Sequence, residues 1–145
     1  VQQIYNTWTT NGNSQGGERL KRSQFKGRFT PTNPAKYAGN VKQIIYRSSW
    51  ERLFMSYCDR HPNILQWNSE ETKIPYQFDG KHRTYYPDFW ILMVDSKYAV
   101  VEKLVEIKPH YQRGWKINQA KWAQASQACV QTGMEFLVLT EKELF

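Results

Sequence analysis

Asp88, Glu106 and Lys108 are the residues whose types and spacing could do chemistry. They interrupt YYPDFWILMVDSKYAVVEKLVEIKP, residues 85–109, where two apolar runs flank a polar turn at Asp95, Ser96 and Lys97. The runs, roughly 86–94 and 98–108, read as paired strands. In an antiparallel hairpin, a turn centred near 96–97 sets residue 88 opposite about 105–106. The two-residue period of a strand puts Leu104, Glu106 and Lys108 on one face, and Val105 and Ile107 on the other. Two carboxylates and an ammonium thus converge at one end of the hairpin. Carboxylates held close repel unless they share a proton or a cation. Hard oxygen ligands with room for water suit Mg2+ or Mn2+. Such a cation polarises a phosphodiester and lowers the pKa of attacking water, while a neighbouring lysine orients that water or offsets developing charge. The same short pattern also describes a solvated Asp at a strand start and a solvated Glu–Lys pair at a strand end. From these residues alone that plainer reading is the better supported.

The surrounding chain supplies elements to hold such a hairpin. SSWERLFMSYCDR, residues 48–60, predicts a helix with Trp50, Leu53, Phe54 and Tyr57 on one face. Ser48 suits its N-cap, and Glu51 stands where a capping box places an acid. Asp79-Gly80 marks a hairpin turn after KIPYQF. Residues 115–131 predict a second helix with a stripe of Trp115, Trp122, Ala125 and Cys129, stopped by Gly133. MEFLVLT reads as a buried strand, and Thr140 with Glu143 caps a last short helix. Residues 25–47, with two prolines and two glycines, read as an irregular segment with at most one short strand. This order of elements implies an α/β fold, a mixed sheet flanked by helices.

The 145 residues suit a single domain, assigned to 25–145, preceded by a flexible basic arm over 1–24 in which TNGNSQGGE has linker composition. No run is apolar enough for a membrane span, and no signal peptide is visible at the start. Cys58 and Cys129 form no CxxC pair and read as semi-buried free thiols. Residues 1–49 hold eight Lys/Arg and a single acid, Glu18, whereas residues 50–145 hold twelve of each sign. A neutral body with a basic front end suggests a polyanionic partner, nucleic acid first; a solubilising tail fits the charge equally well. His61, His82 and His110 read as turn and surface residues, and Trp67, Tyr85 and Tyr86 as core.

YPDFWI, then a strand, a turn and VEIKP, resembles the PD-(D/E)xK nuclease superfamily. KGRFTPTNPAKYAGN, IIYRSSWERLFMSYCDRHPNILQWNSEE and YYPDFWI narrow the resemblance to the head completion nucleases of T4-type tailed phages. It covers about residues 25–145. It implies a restriction-endonuclease-like fold, with Asp88, Glu106 and the Ile107 carbonyl as metal ligands. Lys108 would be the catalytic lysine, with Glu51 as the helix acid and Gln119 as a polar helper on the following helix. Lys121 would contact phosphate, and Arg47, Arg83, Arg113 and Lys116 would line a DNA path only if they share that edge. The implied activity is Mg2+- or Mn2+-dependent DNA endonuclease cleavage with little base readout. The expected partners are DNA and phage head or neck proteins, and the expected place is the virion and, during assembly, the host cytoplasm. A cutter this short, with no visible target-recognition domain, calls for a partner or a homodimer. Two alternatives remain: a structural head or neck protein that holds a DNA end with dispensable catalysis, and a TnsA-like or restriction-type nuclease, since TnsA shares the PDF…ExK layout and the late FLVLTEKEL.

Overall fold

A computed structural model describes residues 26–145. The arm expected over 1–24 lies outside the described residues. Helix α1 (Ser49–Arg60) begins where Ser48 Oγ accepts the Glu51 backbone N–H at 3.2 Å. Its inner face is wider than the apolar spacing implied: Trp50, Phe54, Met55, Tyr57 and Cys58 are buried, and so are the acids Glu51 and Asp59.

Strands β3 (Ile64–Ser69), β6 (Phe89–Val94), β7 (Val100–Ile107) and β8 (Glu135–Leu139) form one sheet in that order. The first three are antiparallel and β8 runs parallel to β7. A parallel return needs a crossover, and α2 (Lys116–Thr132) supplies it. Gly133 ends α2 at φ +75°, a left-handed conformation glycine adopts without steric cost. Thr140 and Glu143 close a capping box on α3 (Glu141–Leu144). Strands β4 (Ile74–Phe78) and β5 (Lys81–Tyr85) form a separate hairpin. Its two-residue turn, Asp79-Gly80, has positive φ at both positions, as a tight hairpin of this hand requires.

The sheet divides the core in two. Phe89, Ile91, Met93, Val105, Ile107, Leu137 and Leu139 pack toward α1. Leu104, with Trp90, Phe136 and Val138, packs toward α2 and the β4–β5 hairpin. Odd and even positions of β7 therefore face opposite layers, as its alternation predicts. The segment ahead of α1 lies over the first layer, with β1 (Gly27–Arg28) and β2 (Ile45–Tyr46) paired, so it holds two short strands rather than one. Asp59 fastens this segment. Its carboxylate accepts from Thr32 N at 2.8 Å, Thr32 Oγ1 at 2.6 Å and Asn33 N at 2.9 Å.

Four further expectations need correction. The strand expected over 86–94 starts at Phe89, because Pro87 has no N–H to give a ladder. The strand expected over 98–108 starts at Val100, because Tyr98 sits at φ +62° in a turn closed by the Asp95 side chain. Trp115 is not on the buried stripe of α2. It is the extended residue before the helix, half exposed, and Asn118 takes its place inside. Both cysteines are free and fully buried rather than semi-buried.

Candidate active site

Phe89 pairs with Val105, so the next residue outward, Asp88, stands across from Glu106. The Ile107 N–H donates to Asp88 Oδ2 at 2.8 Å and locks that carboxylate to the end of β7. Asp88 shares the parity of Trp90, and Glu106 that of Leu104, so both belong to the α2-facing side. Glu106 is only 3% exposed. The Trp122 indole on α2 donates to its Oε2 at 3.4 Å. Tyr85, at the end of β5, is also buried there; its hydroxyl lies beside Glu106 without a well-formed hydrogen bond.

This crowding has an electrostatic signature. Burial first, then the charges of Glu106 and Glu51, push the Asp88 carboxyl well above the usual carboxylate range, against the pull of the Ile107 N–H. Burial, then Glu106 and Asp88, also push the Tyr85 phenol up. Lys121 Nζ stands 5.7 Å from the centre of the Tyr85 ring. Burial and the nearby Lys108 ammonium hold Lys121 below its ordinary value, against Glu106 and Asp88. Arg83 adds to that lowering, so Lys108, Lys121 and Arg83 form one positive flank beside the two acids.

Glu51 is buried at 6% exposure, and its charge reaches Asp88 and Arg47. Its backbone N–H makes the cap to Ser48. Glu51 does not close with Asp88 and Glu106 into a three-carboxylate cage: among the described residues, no three His, Cys, Asp or Glu side chains do so anywhere. Arg47 is engaged by Glu70, at 2.8 Å from Nε to Oε1 and 3.2 Å from Nη2 to Oε2. Glu70 in turn donates its N–H to the Asp88 carbonyl at 3.1 Å, so this pair borders the site. Gln119 is exposed, and its side-chain amide donates to the Arg113 carbonyl rather than to the acids. Lys116 is exposed at the start of α2. Sequence reasoning filed Tyr85 and Trp122 as core and missed that both attend Glu106. An aromatic side chain with a polar tip, buried beside a charged strand, was the available signal.

A sequence model described as "TnsA-like endonuclease N terminal" matches residues 61–141, from the end of α1 into α3. The chain belongs to the TnsA-like endonuclease family. The matched span includes Asp88, Glu106, Lys108, Gln119 and Lys121 and leaves out Arg47 and Glu51. This TnsA-like chain is also 33% identical, over 144 residues, to a protein named "Head completion nuclease" from Enterobacteria phage T4. That similarity covers 83% of this chain and 93% of the relative, so the chain also belongs to that nuclease's family. The mixed sheet between helices is the restriction-endonuclease-like arrangement expected of TnsA-like endonucleases. Among the described residues no helix is long and apolar enough to cross a membrane.

Proposed function

We propose that this chain is a divalent-cation-dependent deoxyribonuclease that trims DNA during phage head completion. The observation that carries the reading is the facing pair Asp88 and Glu106, held at the end of one hairpin with Asp88 fixed by the Ile107 N–H. The elevated Asp88 carboxyl fits this: the half-buried Asp88 stands beside the buried Glu106, and a hard cation would supply their counter-charge. Asp88, Glu106 and the Ile107 carbonyl would hold Mg2+ or Mn2+, with Glu51 one layer behind. When bound, such an ion activates water and polarises the phosphodiester.

The chain's own groups do the rest. Ile107 and Trp122 orient the two carboxylates by hydrogen bonds, so neither must reorganise during reaction. Lys108 orients the attacking water or offsets charge on the phosphate. Lys121 and Arg83 draw the phosphate backbone to the site edge. Lys116 lies further along α2 as an outer phosphate contact, and Arg47 joins only by leaving Glu70. Gln119 holds the loop before α2 in place rather than touching the reacting atoms. The T4 relative's name supports a place in head completion, hence DNA, head or neck proteins and the virion as partners and setting.

Purified protein incubated with linear, circular and branched DNA, with Mg2+ or with chelator, tests this reading. Cleavage should need the cation. It should vanish in Asp88→Ala, Glu106→Ala and Lys108→Ala proteins that still melt cooperatively. Full cleavage by all three would end the proposal. A phage carrying Glu106→Gln should yield few infectious particles; a normal yield would leave only a structural role in the head.

A further inference from the structure

Immediately after Lys108 the chain makes a short loop that presents two rings to solvent. Tyr111 is 70% exposed and Trp115 49% exposed. Their centroids are 6.0 Å apart with planes at 73°. Isolated exposed aromatics are ordinary, but a paired patch is a feature to explain.

The ring faces do not hold the loop; only the Tyr111 hydroxyl joins it, accepting from the adjacent Gln112 amide at 2.9 Å. Asn118, itself buried, donates to the Gln112 carbonyl at 2.8 Å, and Gln119 donates to that of Arg113. Backbone bonds from Gln112 to Pro109, Arg113 to His110 and Trp115 to Gln112 complete the turn. His110 N donates to Glu141 Oε1 at 2.6 Å and ties it to α3. The platform is therefore rigid, and its aromatic faces are spare.

Apart from Glu141, its neighbourhood in sequence is basic. From Ile107 to Met134 the sequence contains no Asp or Glu, while Lys108, Arg113, Lys116 and Lys121 fall within it. Arg113 and Lys116 are exposed on either side of Trp115. Trp115 precedes Trp122 by seven residues, about 10 Å of helix axis, and the Trp122 indole touches Glu106. Exposed aromatics among cations beside a groove are how proteins take single-stranded nucleic acid, because every base has a face to stack and the phosphates pay the electrostatic term.

We infer that Tyr111 and Trp115 form a stacking platform for unpaired bases of the DNA whose backbone enters at Lys121 and Arg83. One ring takes a base face and the other braces its edge, as their steep angle requires. Bases inside a duplex cannot reach the rings, so the platform selects a frayed end, overhang or junction. This rests on the nuclease reading above, for its position beside the carboxylates.

The test measures binding, in chelator, so that no strand is cut. Fluorescence anisotropy would compare a labelled oligothymidylate with a blunt duplex of equal length, using the full chain. The Tyr111→Ala/Trp115→Ala protein should lose roughly 10- to 100-fold in affinity for the oligothymidylate and keep its duplex affinity within about twofold, the duplex being held through its phosphates. Trp115→Phe should retain most of the single-strand affinity, because a stacking face remains. Unchanged oligothymidylate affinity in the double variant would overturn the inference and leave the patch to a protein partner. Equal losses on both DNAs would overturn it too, as a charge or folding effect. Loss of cleavage in the cation assay has no bearing on this readout, so the two proposals fail separately.

Discussion

Asp88, half-buried, faces the buried Glu106, and among the described residues no cation forms an ion pair with either. Burial and the two neighbouring acids raise the Asp88 carboxyl well above its ordinary range. The sign for stability follows. A carboxyl whose folded pKa lies above its unfolded value of about 3.9 favours the folded state when protonated. That contribution is present in acid and is lost as pH rises from the unfolded to the folded value. At neutral pH without divalent cation, the ionised pair therefore costs stability. Asp88→Asn should melt higher than the parent protein at pH 7 in chelator, by roughly 3–8 °C for about 1–2 kcal/mol in a chain of this size. The gap should close toward pH 4, and calorimetry across that range checks it. Trp122 bears on the same acid from the other side. Trp122→Phe removes the N–H together with part of the indole ring, which frees Glu106 to turn at some cost in packing. Groups that orient a ligating carboxylate typically matter about 10- to 100-fold in metal affinity. Mn2+ titration by calorimetry, at a temperature where the variant is still folded, should show a loss in that range.

At the scale of elements, Asp59 shows how a helix end organises chain distant in sequence. Burial works against its charge, yet three hydrogen bonds from Thr32 and Asn33 outweigh it and hold the carboxyl below its ordinary value. A depressed carboxylate stabilises above its unfolded pKa, and that support is lost as pH falls through the folded value. Asp59→Ala should cost about 3 kcal/mol. Chemical denaturation should also show a variant less sensitive than the parent to acid below about pH 4. Nothing in the sequence pointed to Asp59, since its partners lie 26 and 27 residues away. What was legible was local or periodic. The Asp79-Gly80 turn, the Ser48 cap, the Gly133 stop and the 88-to-106 register follow from spacing, and each stands in the structure. Trp115 was misplaced because periodicity counts back from Trp122 without sensing where the helix begins. The roles of Tyr85 and Trp122 were hidden because tertiary packing alone brings their polar tips to Glu106.

Over the whole molecule, charge is distributed by function rather than evenly. Residues 1–49 carry the net +7, and the run from 107 to 134, beside Asp88 and Glu106, is free of acids and holds Lys108, Arg113, Lys116 and Lys121. Acids collect at the site itself, where Glu51, Glu70, Asp88 and Glu106 lie within electrostatic reach of one another or of Arg47. A phosphate backbone approaching such a site meets repulsion at its centre and attraction at its rim, so the rim cations decide whether it docks. Each Lys or Arg that neutralises a phosphate releases condensed counterions, which gives log affinity a slope of about −0.9 per contact against log salt. Lys121→Gln and Arg83→Gln should each flatten that slope by about one, with similar losses on unrelated duplex sequences, because phosphate contacts carry no base information. Lys73→Gln, on the loop before β4, serves as the comparison and should leave the slope alone. Duplex binding measured across a salt series in chelator checks all three. A slope unmoved by Lys121→Gln would mean that the half-buried ammonium above Tyr85 stays with Glu106 and Asp88, and that DNA takes another route over the sheet edge.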